Sequence, residues 1–181
     1  MARPEFDKLS GHVIQTAYVV EDIRSAIDTW VRQYKTGPWF LAESFLSDGH
    51  TYRGEPSRAD VSVAMAFTGS MNIELIQTRD DNPSIYREII SRRGFGFHHL
   101  GIAVAPEVFE AEVAAYEERG FMIASTVPSG QKLPMTYLDD GRNDPGFVEL
   151  IPVASRINAF FSMMYDAADG WSGDHPIRPL R

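Results

Sequence analysis

Two short stretches hold carboxylates in matching surroundings: N-I-E-L-I at 72–76 and F-V-E-L-I at 147–151 each set one glutamate, Glu74 or Glu149, between bulky apolar neighbours. Two further stretches match each other, with Q-T-A-Y-V-V at 15–20 aligning on H-L-G-I-A-V at 99–104. Side chains alternate across a strand, so Gln15 shares a face with Ala17 and Val19, and His99 with Gly101 and Ala103. In each case a polar residue faces away from the bulky set. If that set packs beneath helices, Gln15, Glu74, His99 and Glu149 point into one cavity on the inner surface of a curved sheet, where the small neighbours leave room. Buried carboxylates without a partner are costly, whereas two carboxylates, an amide oxygen and an imidazole suit a hard or borderline divalent ion that would also cancel their charge. A single histidine on a strand, or one E-L-I strand end, is commonly ordinary core. What sets these four apart is that the two halves offer them at corresponding positions. With no cysteine in the chain, disulfides, thiolate sites and cysteine nucleophiles are excluded, and any metal must be held by oxygen and imidazole nitrogen.

The elements that would position these residues follow from periodicity. Val13 to Val20 reads as a strand, and Asp22 as the N-cap of a helix whose Ile23, Ala26, Ile27, Trp30, Val31 and Tyr34 share a face up to Lys35, where Gly37-Pro38 stops it. Trp39 to Phe45 reads as a strand. After the polar stretch Ser47 to Ser57, the alternation of Val61, Val63, Met65 and Phe67 predicts a strand with one buried face, and Asn72 to Ile76 a further strand. Asn82-Pro83 opens a connector helix with Tyr86, Ile89, Ile90 and Arg93 on one face. Gly94-Phe95-Gly96 is a linker, since His99 stands where a dinucleotide fingerprint would need its third glycine.

From Phe97 the order begins again. A strand to Val104, a helix from Pro106 to Arg119, strands Phe121 to Val127 and Leu133 to Leu138, a turn over 139–145 and a strand Phe147 to Ile151 repeat β, α, β, β, β. A last helix carries Ile157, Phe160, Phe161 and Met164, and 171–181 reads as loop. The expected fold class is α+β: two tandem βαβββ modules forming a curved, barrel-like mixed sheet with helices outside. The modules would be 1–93 with the connector and 94–154, followed by a C-terminal helix and tail at 155–181, all in one structural domain.

V-V-E-D-I at 19–23, G-P-W-F at 37–40, I-E-L-I at 73–76, H-H-L-G-I-A-V at 98–104 and V-E-L-I at 148–151 resemble the vicinal oxygen chelate superfamily over residues 12–153. That family includes glyoxalase I, methylmalonyl-CoA epimerase, extradiol dioxygenases, and fosfomycin and bleomycin resistance proteins. Carried over position by position, its four metal ligands fall on Gln15, Glu74, His99 and Glu149, and this combination looks like the zinc-type glyoxalase I set. The epimerases usually have His first and Gln second. The dioxygenases and fosfomycin enzymes use two His and one Glu, so a ring-cleaving dioxygenase is disfavoured.

The resemblance implies one divalent ion (Zn, Ni, Co, Mn, Mg or Fe) and an isomerase, epimerase or lyase working by proton transfer next to a carbonyl, through a metal-bound enolate. Glu149 is the first choice of base and Glu74 its symmetric partner. The alternative is a metal-free binding or resistance protein of the same fold. The substrate would be a small carbonyl compound or thioester, and a homodimer is expected by analogy with the family's habit of pairing modules.

Trp39, Phe40, Met65, Phe67, Tyr137 and Phe161 are candidate walls of an apolar substrate pocket, with the last helix as its cover. His98 should point to the opposite face from His99, in a packing or surface role, and His12 lies outside the matched positions. Arg53, Arg58, Arg92 and Arg93 are read as solvated surface that could also meet an anionic substrate. The net charge of -8 among 181 residues argues against nucleic acid, and the 44% hydrophobic and 23% charged residues are those of a globular protein. No stretch reads as a signal peptide or as the roughly 18 apolar residues a membrane helix needs, so a cytoplasmic location is expected.

Overall fold

The computed structural model describes residues 4–142 and 146–180. The end of the expected 139–145 turn, at 143–145, and Arg181 of the tail lie outside the described residues. A 3-10 turn at Phe6–Lys8 leads into β1 (Val13–Val19), α1 (Ile23–Tyr34), β2 (Trp39–Ala42), β3 (Thr51–Tyr52), β4 (Glu55–Pro56), β5 (Val61–Thr68) and β6 (Met71–Thr78). Then follow α2 (Ile85–Arg93), β7 (Gly96–Val104), α3 (Phe109–Glu118), β8 (Met122–Val127), β9 (Met135–Asp139), β10 (Phe147–Pro152), α4 (Ser155–Ala168) and β11 (Ile177–Pro179). One curled mixed sheet joins all the strands in the order β11-β2-β5-β6-β1-β7-β10-β9-β8-β3-β4. The α+β class and the repeated strand-helix-strand order are as the sequence led us to expect.

Local chemistry sets the helix starts. Asp22 caps α1 by accepting from the Ser25 N–H at 2.6 Å, and Lys35 ends it in the left-handed region at φ 55. The connector α2 starts two residues later than Asn82-Pro83 suggested, because Ser84 is the cap, accepting from the Arg87 N–H at 3.2 Å. Pro83 therefore precedes the helix.

Two helices cover the outside of the sheet: α1 packs Ile23 and Ile27 on Ala64, Ala66, Ile73 and Leu75, and α3 packs Phe109 on Val104, Leu138 and Leu150. The other two lie against the inner face. Ile85, Tyr86 and Ile89 of α2 join Ala17, Val19, Tyr137 and Phe147, while Ile157, Phe161 and Met164 of α4 join Phe67, Ala103 and Ile151. Consequently β5 is buried on both faces, with Ser62, Ala64 and Ala66 as buried as Val61 and Val63. The single buried face expected for it was wrong, because small residues give no apolar signal yet sit beneath α1.

Two segments read as irregular contain strands. Within the polar stretch, β3 and β4 form a hairpin that adds to β8, and in the tail β11 adds in parallel to the sheet edge at β2, with Ile177 opposite Trp39. The hairpin is tied down by Arg53, which pairs with Glu88 of α2 at 2.8 Å and with Asp139 at the end of β9.

Candidate metal centre

Four adjacent strands, β6-β1-β7-β10, carry the four polar residues, and their register forms two rows across the inner face. In one row Ala17 stands opposite both Glu74 and His99. In the other, Gly101 stands opposite both Gln15 and Glu149. Each row thus places two long polar side chains on either side of a residue with little or no side chain. Neighbouring strands lie only about 4.8 Å apart, so curling the sheet brings all these side chains inward. Gly101 is required for this: a Cβ there would lie 2.8 Å from Gln15 Oε1 and from Ile151 Cδ1.

His99 Nε2 lies 3.0 Å from Glu149 Oε2 and 3.3 Å from Glu74 Oε2, and the three residues are 0%, 2% and 6% exposed in the order His99, Glu149, Glu74. The three residues could hold one metal ion, each offering one ligand atom within 4.8 Å of the others. The Nε2 and the two Oε2 atoms are buried and none makes a hydrogen bond. A central ion would give all three of these buried atoms the partner they lack. Bonds of about 2.1 Å to a central ion set neighbouring donors about 3 Å apart in an octahedron, close to the 3.0 and 3.3 Å from His99 to the two carboxylates. The donor set therefore fits a divalent ion. Gln15 lines the same cavity as Glu74 and Glu149.

Electrostatics at the centre follow from burial. Burial pulls the His99 imidazole down, but the facing carboxylates of Glu149 and Glu74 outweigh it and raise its pKa to about 9. Burial raises Glu74, with the His99 contact opposing and Glu149 reinforcing the rise. Tyr137 is pushed well above the ordinary phenol range by burial and by Glu149, and Tyr86 rises by burial and by Glu74. Both phenols stay protonated donors at the edge of the site.

His98 is not on the opposite face. The pairing of β1 with β7 slips between Ala17 opposite His99 and Tyr18 opposite Phe97, so His98 is the extra residue of a β-bulge. A bulge breaks the alternation, and His98 turns inward, stacked on Tyr86 at 5.0 Å and fully buried. Its Nδ1 lies 2.8 Å from His99 Nδ1, and one of the two must donate. Burial, then the neighbouring His99, hold the His98 pKa well below the usual imidazole value. A His99 that bound a metal through Nε2 would donate its Nδ1–H to His98.

Beside the centre lies an enclosed cavity of about 100 Å³, lined by Gln15, Glu74 and Glu149 and by apolar side chains that include Met65, Tyr137 and Phe161. The other three proposed wall residues lie elsewhere. Trp39 points to the outer face, packed on Trp30 with its Nε1 donating to Thr36 O, while Phe40 and Phe67 are buried in the cluster under α4. Reading the sequence missed Tyr86, Phe45, Met135 and Leu180, which also line the cavity. Tyr86 was visible only as part of an apolar helix stripe, and Leu180 arrives by way of β11. Among the arginines, Arg53 and Arg92 pair with Glu88, Arg93 donates to Phe97 O and Arg58 is exposed. His12 is exposed, with Nδ1 at 3.2 Å from Leu9 O. A larger open depression lined by Asp7, Glu107 and Asp166 contains none of the convergent donors. Among the described residues no helix is long and apolar enough to cross a membrane.

Solved structures share this architecture. A hypothetical protein from Bacillus halodurans superposes with a TM-score of 0.58 at 19% identity, covering 80% of this chain and 95% of its own. Methylmalonyl-CoA epimerase from Mycobacterium tuberculosis gives 0.57 at 14% identity over 83% of this chain and 93% of its own. A variant of the Streptomyces coelicolor methylmalonyl-CoA epimerase, in complex with 2-nitronate-propionyl-CoA, gives 0.55 at 14% identity over 81% and 96%. At such identities the likeness is one of fold. No curated protein sequence matches the chain. The model of the Glyoxalase/Bleomycin resistance protein/Dioxygenase superfamily matches residues 14–137, so with its curled sheet and buried Glu-His-Glu group the chain belongs to that superfamily.

Proposed function

We propose that the protein is a divalent-metal-dependent enzyme, an isomerase, epimerase or lyase, that transfers a proton at the carbon next to a carbonyl. The reading rests on one observation: Glu74 Oε2, His99 Nε2 and Glu149 Oε2 converge in the interior without hydrogen-bonding one another. These three residues would hold the ion, with Gln15 as a fourth, neutral donor. Zn²⁺, Ni²⁺, Co²⁺, Mn²⁺, Mg²⁺ and Fe²⁺ all accept such a set. The likeness of fold to methylmalonyl-CoA epimerases supports the reaction class.

When bound, the ion supplies a Lewis acid that polarises a carbonyl oxygen and acidifies the neighbouring C–H. The chain's own groups do the rest. Glu149 receives the proton on a carboxylate oxygen, with the Tyr137 phenol beside it as a hydrogen-bond donor that steadies the carboxylate. Glu74, from the other row, is the symmetric partner that exchanges a proton on the other side of the reacting carbon. Gln15 cannot ionise and serves to orient. The apolar walls exclude water from the reacting carbon.

Protein purified without added metal is expected to contain about one divalent ion per chain by elemental analysis, since the site offers one set of donors. In deuterium oxide, with a panel of α-hydroxy ketones, hemithioacetals and acyl thioesters, the loaded protein should exchange the α-proton of at least one class. Glu149→Gln keeps a neutral oxygen donor and should slow that exchange about a hundredfold. Equal rates in the two proteins would remove Glu149 as the base, and protein that neither contains nor takes up a divalent ion would remove the whole reading.

A further inference from the structure

The cavity beside the carboxylates is unusual in what it lacks. Among the described residues, Glu74 and Glu149 are the only charged ones lining it and no lysine or arginine does, and the other polar lining comes from Gln15 and the phenols of Tyr86 and Tyr137. The remaining wall is apolar, with Phe45, Met65, Met135, Phe160, Phe161 and Leu180 drawn from five separate elements or loops. The exposed part of its wall is apolar too. Phe45 lines the cavity while 37% exposed, and the adjoining Leu46 is 59% exposed. Arg53, which does not line the cavity, is bound by Glu88 and Asp139.

We infer that the substrate is a small, uncharged α-oxygenated carbonyl compound whose far end is hydrocarbon, and that this protein rejects carboxylated carbonyls and coenzyme A thioesters. The inference rests on the proton-transfer reading above and names the substrate class of the same site. A divalent ion cancels the charge of Glu74 and Glu149 and leaves nothing over to neutralise a second anion at the apolar end. An ionised carboxylate there would give up its hydration without a cation or an N–H donor in return, and that cost exceeds the cost of burying any neutral polar group. Size points the same way, since a cavity of about 100 Å³ takes only a small ligand. A hydroxy ketone with a short branched tail is of that order, and a pantetheine arm is too long to enter it whole.

The test compares two isosteres on the metal-loaded protein, 1-hydroxy-5-methylhexan-2-one and 5-hydroxy-4-oxopentanoate, in which a carboxylate replaces the terminal isopropyl group. Propionyl-CoA serves as a third probe. Binding is read by calorimetry and exchange of the α-proton by NMR in deuterium oxide. In the exchange a C–H bond breaks, the proton passes to a glutamate oxygen, and a deuteron from solvent returns to the carbon.

The neutral ketone should bind and exchange at least tenfold better than the other two. Met135→Lys, which introduces a cation into the wall, should narrow or reverse the preference between the isosteres, while Met135→Leu should keep it. Equal or better binding of the carboxylate or the thioester to the wild type overturns the substrate class and leaves the proton-transfer reading standing. Failure of the neutral ketone to bind also overturns the class. Tight binding of the neutral ketone without any exchange upholds the class and overturns the proton-transfer reading.

Discussion

At the scale of single residues, the contact between His98 and His99 carries the most specific consequence. A ligating imidazole needs its second nitrogen held by an acceptor, which fixes both tautomer and ring direction. Here that acceptor is another imidazole, 2.8 Å away. His98→Phe keeps the stacking on Tyr86 but removes the acceptor, and divalent-metal affinity measured by chelator competition should fall about ten- to a hundredfold. His98→Asn, whose side-chain oxygen can take the place of Nδ1, should recover most of the loss. If both variants bind as the wild type does, His98 is packing only. The sequence could not show this, because one slipped residue in a strand reverses the face that alternation assigns. The convergence of Glu74, His99 and Glu149 was legible for the opposite reason: β6, β10 and the stretch of β7 from His99 to Gly101 keep an unbroken register.

At the scale of elements, the two rows depend on how little side chain stands at Ala17 and Gly101. Gly101→Ala sets a Cβ 2.8 Å from Gln15 Oε1 and 2.9 Å from its Cβ, with Ile151 pressing from the next strand. Overpacking of this kind costs about 1–3 kcal/mol. Chemical denaturation should show that loss, and metal titration should show weaker binding as Gln15 is displaced; unchanged values for both would mean the sheet relaxes freely there. The pocket walls were only partly legible at this scale. Met65, Tyr137 and Phe161 line the cavity, but Trp39 and Phe67 look no different in a sequence, since an apolar residue reads alike whether it faces α1 or α4. The hairpin β3–β4 and the strand β11 left no periodic signal because two or three residues are too few to show one.

At the scale of the whole molecule, Arg53 links the hairpin, α2 and β9, holding together parts that lie 35 and 86 residues away along the chain. The Glu88 and Asp139 side chains are 8% and 0% exposed, so Arg53→Met leaves the buried Asp139 carboxylate without its cation and Glu88 with Arg92 alone. Breaking a buried pair costs 3–5 kcal/mol, and with Arg53 itself 30% exposed a loss of about 2 kcal/mol is expected in urea unfolding. A loss within 0.5 kcal/mol of zero, as for an ordinary surface pair, would show that water already screens the link. Metal should stabilise the whole fold as well, because its donors come from both halves of the chain. At a hundredfold excess over Kd the gain is about 2.7 kcal/mol. Melting temperature should therefore rise with added divalent ion and fall with chelator, and the effect should vanish in the Glu74→Gln, Glu149→Gln double variant.

The order of strands and helices, the internal repeat and the positions of the inward polar residues are written in local patterns, because hydrophobic period and strand alternation act over a few neighbouring residues. Which residues close the cavity, which way His98 turns, and how α2 and α4 come to lie against the inner face were decided only in three dimensions. Those features depend on how strands from distant parts of the chain register and curl. No local pattern encodes the register between two strands eighty residues apart.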